Sequence, residues 1–173
     1  ESRVLKAEIN LGPVPSDSIV HHGMEIFYDG RRSLDQWYSC QSCHLDGGSN
    51  SKPMDTWNDG SALTVKTVLP MFGVGETAPW TWHGWQQDLD ESIQNSFTET
   101  MLGKPANKED VAALRAYLTS LKLPPNPFRQ SDGTLGTAAE RGKQIFESSE
   151  AACAACHSGP TFSDGLNHDV GIG

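Results

Sequence analysis

Two short cysteine motifs constrain this chain more strongly than any other feature of its sequence. They read Cys40-Gln41-Ser42-Cys43-His44 and Cys153-Ala154-Ala155-Cys156-His157, and together they contain all four cysteines of the 173 residues. The pattern C-x-x-C-H is the signature of covalent c-type haem attachment. The two thiols bond to the two vinyl groups of the porphyrin, and the adjoining histidine is the proximal ligand of the iron.

Three other uses of paired cysteines compete with this interpretation: a disulfide framework, a redox-active C-x-x-C pair and a zinc site. None of them explains why a histidine directly follows each pair. We therefore predict two covalently bound haem c groups, with His44 and His157 as iron ligands. Because haem c attachment takes place outside the cytoplasm and no cysteine is left over, we expect a periplasmic or cell-surface protein.

The composition limits the size of the protein core. Only 36% of the residues are hydrophobic, whereas 17 are glycine and 10 are proline, so loops should be long. Two haems would supply the buried apolar surface that the side chains do not. The net charge of -9 argues against a nucleic-acid partner. No apolar run approaches the roughly 18 residues that span a bilayer, so we expect no transmembrane segment.

Segments with helical spacing of apolar residues alternate with helix-breaking Pro and Gly residues along the chain. This order predicts an all-α chain with two cytochrome c-like haem domains, the second of them incomplete. We expect an extended lead-in over residues 1–15, a first domain over 16–123, a Pro-rich linker over 124–136 and the start of a second domain over 137–173. The boundary rests on Pro124-Pro125-Asn126-Pro127, which forbids a helix and stiffens the chain.

Four helices are predicted from caps and apolar spacing. The first runs over 18–28, with Ser16 or Asp17 as its cap and Ile19, Ile26 and Phe27 as its buried side. The second runs over 89–101, and the third over 108–121 with Asn107 as its cap. The fourth opens at Thr137-Ala138-Ala139-Glu140, which reads as a capping box.

The segment after the Pro-rich linker (residues 137–173, the second unit) repeats the beginning of the segment before it (residues 16–123, the first unit). Gly23-Met24-Glu25-Ile26-Phe27 corresponds to Gly142-Lys143-Gln144-Ile145-Phe146, and each segment precedes a C-x-x-C-H motif. The second unit reaches Gly173 without a closing helix and without a methionine after His157. We therefore expect the remainder of a longer parent chain to complete it.

Several side chains are candidates for the open face of the first haem. A methionine or histidine would make a six-coordinate electron carrier, although methionines are more often core filler. Glu99 would serve as a general acid-base if it projects over the haem, and an exposed surface glutamate is the plain alternative. Trp82 would carry an electron between haems, and ordinary burial of Trp80, Trp82 and Trp85 against the porphyrin is the alternative. The sixth-ligand candidates are Met24, Met54, Met71, Met101, His21, His22, His83 and His168.

An ordered set of motifs runs along most of the chain: Gly23 to Asp29, Cys40 to His44, Thr67-Val68-Leu69, Trp82-His83-Gly84, Leu89-Asp90-Glu91, Glu99 with Met101, Arg141-Gly142-Lys143, Cys153 to Pro160 and Val170 to Gly173. This set resembles the bacterial di-haem cytochrome c peroxidases and the MauG-type di-haem enzymes. Trp37-Tyr38-Ser39 further resembles a branch whose haem module follows a β-propeller.

The resemblance implies that hydrogen peroxide binds at the first haem and that the second haem accepts electrons from a small redox protein, a cytochrome c or a cupredoxin. By the same resemblance Trp82 is the inter-haem tryptophan and Glu99 the distal carboxylate, and the sixth ligand of the second haem lies beyond Gly173. The rival functions are a purely electron-transferring dihaem cytochrome and a MauG-like enzyme that oxidises residues of a partner protein.

The sequence departs from the family at three places. No histidine lies between Leu45 and Thr81, where many of these peroxidases carry a resting-state distal ligand, so we expect the first haem to be open at rest. His83 stands where the family usually has aspartate. Calcium is a further cofactor of the family, but no residue here matches its inter-haem calcium ligand.

Overall fold

The structure, a computed structural model, describes residues 7–10, 12 and 18–171. Residues 7–10 and 12 have no regular structure, and the rest of the predicted lead-in lies outside the described residues, as do Ser16, Asp17, Ile172 and Gly173. The described chain is mostly helical with little strand, which agrees with an all-α cytochrome c-like fold. Its helices are α1 Ile19–Tyr28, α2 Cys40–Cys43, α3 Leu89–Asn95, α4 Lys108–Ser120 and α5 Thr137–Glu147, and its strands are β1 Pro53–Met54 and β2 Lys66–Thr67.

Helix α1 begins later than the sequence predicts. Ser18 is its N-cap, since the Ser18 Oγ atom accepts a hydrogen bond from the backbone N–H of His21 at 3.1 Å. Ile26 and Phe27 are buried as predicted. The prediction for Ile19 was wrong: it is 57% exposed, because it lies in the first turn, before the stretch that packs against α4.

The core of the first unit is the crossing of α1 and α4. A Cβ atom on Gly23 would lie 1.9 Å from the carbonyl oxygen of Ala113, so only glycine permits this approach. The rings of Phe27 and Tyr117 pack at 5.3 Å between centroids. Helix α4 confirms the predicted cap, because Asn107 Oδ1 accepts from the Asp110 N–H at 2.7 Å, and it ends at Ser120, one residue early.

The predicted helix over 89–101 changes type halfway. Helix α3 gives way to a π-helix, Ser96–Thr100. The hydroxyls of Ser96 and Thr98 donate to carbonyls one turn earlier, at 2.9 and 3.2 Å, which competes with regular helical bonding. A single π-turn of this kind is rare and occurs frequently at functional sites.

The loop after the first motif contains a small antiparallel ladder that the sequence does not predict. Pro53 pairs with Thr67 and Met54 with Lys66. Each strand is only two residues long, which is too short to show the alternation of apolar and polar residues that predicts a strand. The ladder closes the loop and brings residues 67–69 beside the haem-binding motif.

The second unit is open in the described part of the chain. Residues 124–136 have no helix or strand, as expected of a linker. The predicted capping box was wrong: α5 begins at Thr137 itself, after Gly136, and no side chain caps it. No residue of α5 is buried, and Phe146 packs edge-on against Phe162 at 5.8 Å. The division into two haem domains at the linker stays a prediction.

Candidate haem-binding site

The first motif forms a short helix that ends at its histidine. The Ser39 N–H donates to Ser42 Oγ at 3.0 Å at the start of α2, and His44 follows the last residue of the helix. Nδ1 of His44 lies 2.9 Å from the carbonyl oxygen of Leu69. Because a carbonyl only accepts, Nδ1 carries the proton and Nε2 keeps a lone pair for a metal. Burial lowers the pKa of His44, which also favours the neutral ligand form.

The second motif repeats this arrangement in a different local structure. Cys153–Ala155 form a single 3-10 turn rather than an α-helix. Nδ1 of His157 nevertheless lies 3.1 Å from a backbone carbonyl oxygen, that of Phe162. Both histidines are therefore held in the same tautomer, with Nε2 as the metal-binding nitrogen.

The cysteines are free thiols in both motifs. Burial raises the pKa of Cys40 to about 12, so this thiol is not the activated thiolate of a redox C-x-x-C pair. Within the described residues, no three side chains of the His, Cys, Asp and Glu types are grouped to hold a metal ion. The donor set of each motif is two free thiols and one histidine nitrogen. It fits haem c, whose iron takes one protein nitrogen per motif.

Trp82 lies on the turn of residues 81–84, which is hydrogen-bonded to the segment beside the first motif. Its indole Nε1–H donates to the carbonyl oxygen of Thr67 at 2.7 Å. Thr67 is two residues before Leu69, whose carbonyl holds His44, so one extended segment contacts both side chains. Trp82 is 53% exposed. Trp80 differs, because it packs against the core and donates to the carbonyl of Val74 at 2.8 Å.

Glu99 is exposed on the π-helix. The residue after it is held from two sides: Tyr38 donates its phenol hydrogen to the carbonyl oxygen of Thr100, and Asn58 Nδ2 donates to Thr100 Oγ1 at 3.5 Å. Asn58 in turn accepts from the buried Gln86 side chain at 3.0 Å. Sequence reasoning missed the contacts of Tyr38, Asn58 and Gln86, since side-chain contacts across 28 to 62 residues leave no local pattern.

The candidate sixth ligands occupy very different environments. Met101 is 4% exposed in the core, and Met54 Sδ lies 3.4 Å from Cys43 Sγ. Two of the candidate histidines are bound to carboxylates. Nε2 of His22 lies 3.1 Å from Asp110, and Nε2 of His168 lies 2.7 Å from Asp164.

The family of the chain follows from comparison with known proteins. Residues 17–130 match the di-haem cytochrome c peroxidase family. The chain belongs to this family, as its motifs suggest. Within the described ranges, no helix is long and apolar enough to cross a membrane.

Individual relatives are similar along most of the chain. The gamma subunit of hydrazine synthase from Kuenenia stuttgartiensis is 29% identical over 90% of this chain and 48% of that subunit. Cytochrome c551 peroxidase from Pseudomonas aeruginosa is 27% identical over 79% of this chain and 49% of that enzyme. A solved structure of Kuenenia stuttgartiensis hydrazine synthase superposes with a TM-score of 0.80, at 25% identity, over 99% of this chain and 67% of that one. The chain spans about half the length of these curated relatives.

Proposed function

We propose that this chain is the haem-binding part of a periplasmic di-haem peroxidase-like oxidoreductase. It would reduce hydrogen peroxide at the first haem with electrons relayed through the second. The supporting observation is the shared geometry of the two motifs, in which His44 and His157 each keep Nε2 free by tying Nδ1 to a backbone carbonyl. Two equivalent ligand sites in one chain fit a reaction that needs two electrons.

The chain's own residues would hold and orient the two groups. Cys40 and Cys43 would bond one porphyrin and Cys153 and Cys156 the other, and His44 and His157 would ligate iron. When bound, haem supplies the iron that binds peroxide and exchanges electrons. Reduction of one peroxide to two waters consumes two electrons and two protons.

Different residues would deliver protons and electrons to the first haem site. Glu99 would deliver protons, because it is a carboxylate exposed to water on a π-turn whose neighbour Thr100 is fixed by Tyr38 and Asn58. Trp82 would couple the two haems, because its indole is anchored to the segment that holds His44. The net charge of -9 favours a small donor protein, a cytochrome c or a cupredoxin, with a positively charged face.

A second candidate function rests on the similarity to the hydrazine synthase gamma subunit. The chain would then act as a haem subunit within a larger assembly and pass electrons rather than reduce free peroxide. A MauG-like oxidation of a partner protein is the third candidate, and the exposed Trp82 would be its surface relay.

The electronic spectrum of the haem-loaded protein tests the proposal. We expect a high-spin ferric haem at rest and a shift of the Soret band on adding peroxide. Glu99→Gln should slow this peroxide reaction by about 10² to 10⁴, the usual contribution of a general acid-base. Glu91→Gln, the same change at another exposed glutamate of the same acidic segment, is the control. Two low-spin haems that do not respond to peroxide would exclude the enzyme and favour electron transfer alone.

A further inference from the structure

The two units of the chain meet at the turn that carries Trp82. Asn167, ten residues after His157, donates its side-chain Nδ2–H to the carbonyl oxygen of His83 at 2.8 Å. Among the described residues, this is the one hydrogen bond between the part before the linker and the part after it. Gly165 lies at the same contact, because a Cβ atom there would be 3.8 Å from the carbonyl oxygen of Ala78.

The turn is strained and needs outside support. Thr81 has φ of 74°, which a β-branched residue rarely adopts. The hydroxyl oxygen of Thr81 is buried without a hydrogen-bond partner in the described residues. Strained backbone of this kind persists only where the surroundings hold it, and it concentrates at functional sites.

In the part of the chain that the structure describes, three side-chain hydrogen bonds hold the turn. The Trp82 indole donates to Thr67 at 2.7 Å, and Gln87 Nε2 donates to the carbonyl of Gly84 at 2.9 Å. Both of these bonds lie within the first unit. The third, from Asn167, joins the turn to the segment that follows the second haem-binding motif.

We propose that Asn167 is a positioning residue, which locks the Trp82 turn onto the second unit and so couples the two haem sites. Its bond extends a series of contacts, His44 to Leu69, Thr67 to the Trp82 indole and His83 to Asn167, as far as the segment that follows the second motif. The proposal rests on the proposed function only in that both motifs carry haem. It concerns how ligand binding at one haem changes the redox potential of the other, and not which substrate reacts.

The expected effect is that of one hydrogen bond of ordinary strength, which changes an equilibrium about fivefold. In the haem-loaded protein, Asn167→Ala should speed amide hydrogen exchange about fivefold in residues 78–87 and in residues 158–171. Asn167→Asp has nearly the same shape but no donor, and it should behave like the alanine variant. Gln87→Ala removes an amide donor from the same turn and should affect residues 78–87 only.

A redox titration separates positioning from mere attachment. Cyanide bound at the first haem should shift the midpoint potential of the second in the unmodified protein. At least half of this shift should be lost in Asn167→Ala and Asn167→Asp, and the shift should be kept in Gln87→Ala. An Asn167→Asp variant that behaves like the unmodified protein, or faster exchange with an undiminished potential shift, would overturn the proposal. Neither measurement uses peroxide, so failure of the peroxidase function is detected separately.

Discussion

Neutralising Asp110 should weaken the first unit more than any other single loss of charge on α4. Its side chain is 10% exposed and joins three parts of the unit. It accepts from Arg32 Nη1 at 2.6 Å and from His22 Nε2 at 3.1 Å, and it lies in the first turn of α4. Asp110→Asn keeps the shape of the side chain and removes its charge.

The size of the effect follows from these contacts. Hydrogen bonds to a charged group are worth about 1.5–3 kcal/mol, against about 1 kcal/mol for neutral ones. A negative charge in the first turn of a helix adds about 0.3–1 kcal/mol. Arg32 is 30% exposed, so water can hydrate its guanidinium once the carboxylate is neutralised. The full free-energy penalty of an unpaired buried charge therefore does not apply. We expect the free energy of unfolding to fall by about 2–3 kcal/mol.

Urea unfolding of the haem-loaded protein, followed by far-ultraviolet circular dichroism, measures this loss. Glu109→Gln is the matched control, because Glu109 lies in the same helical turn but is exposed. Only the helix-dipole contribution, up to about 1 kcal/mol, should be lost there. If both variants lose the same stability within 0.5 kcal/mol, a range of the order of a surface change, the three-part contact contributes nothing and the reasoning is refuted.

The same variant should change how stability depends on pH. Burial opposes ionisation of Asp110, but the hydrogen bonds from Arg32 and His22 outweigh it and hold its pKa below the usual value. A lowered folded-state pKa means that the stabilisation is present above the pKa of the unfolded chain and is lost as pH falls through the folded one. Asp110→Asn should therefore flatten the loss of stability on acidification.

Three further predictions are checked by simpler measurements. Gly23→Ala should lower the free energy of unfolding by several kcal/mol or prevent folding, because its Cβ would collide with a carbonyl of α4. Gly142→Ala, which has open space around it, should raise the free energy of unfolding by up to about 1 kcal/mol. Equal effects of the two substitutions in thermal unfolding would contradict this packing. Replacing Cys153 and Cys156 together by alanine should reduce covalent haem from two groups to one per chain by pyridine haemochrome assay, and an unchanged count would remove the second site. Tyr38→Phe should cost about 1 kcal/mol and speed amide exchange in the π-helix, and unchanged exchange there would show that its hydroxyl does not support the turn.

The helices of the first unit were predictable because their signals are local. Asn107 caps α4, and the spacing of Val111, Leu114, Leu118 and Leu121 predicts its buried stripe. The first three are buried, whereas Leu121 follows the helix and is half-buried. The cap of α1 and the start of α5 were wrong by one or two residues. At such ends Ser, Thr, Asp and Gly all suit the cap, and tertiary contacts decide among them.

The site was predictable only in its attachment residues. The motifs identify the cysteines and histidines through their own spacing, but they carry no information about Leu69 or Phe162, the carbonyls that set the histidine tautomers. Nor does the sequence indicate the contact of Asn167 with His83, 84 residues away. Contacts to backbone atoms leave no preference in residue type, so they emerge only from the fold.

The two histidine tethers differ in the length of chain that they close. His44 reaches a carbonyl 25 residues away, whereas His157 reaches one 5 residues away. Closing the longer loop costs about 1.4 kcal/mol more chain entropy. The ring of His157 is thus oriented by a close neighbour in the chain, whereas that of His44 is oriented only when the loop between His44 and Leu69 is closed. The orientation of His44 therefore depends on the fold of the loop over 45–68, and that of His157 does not.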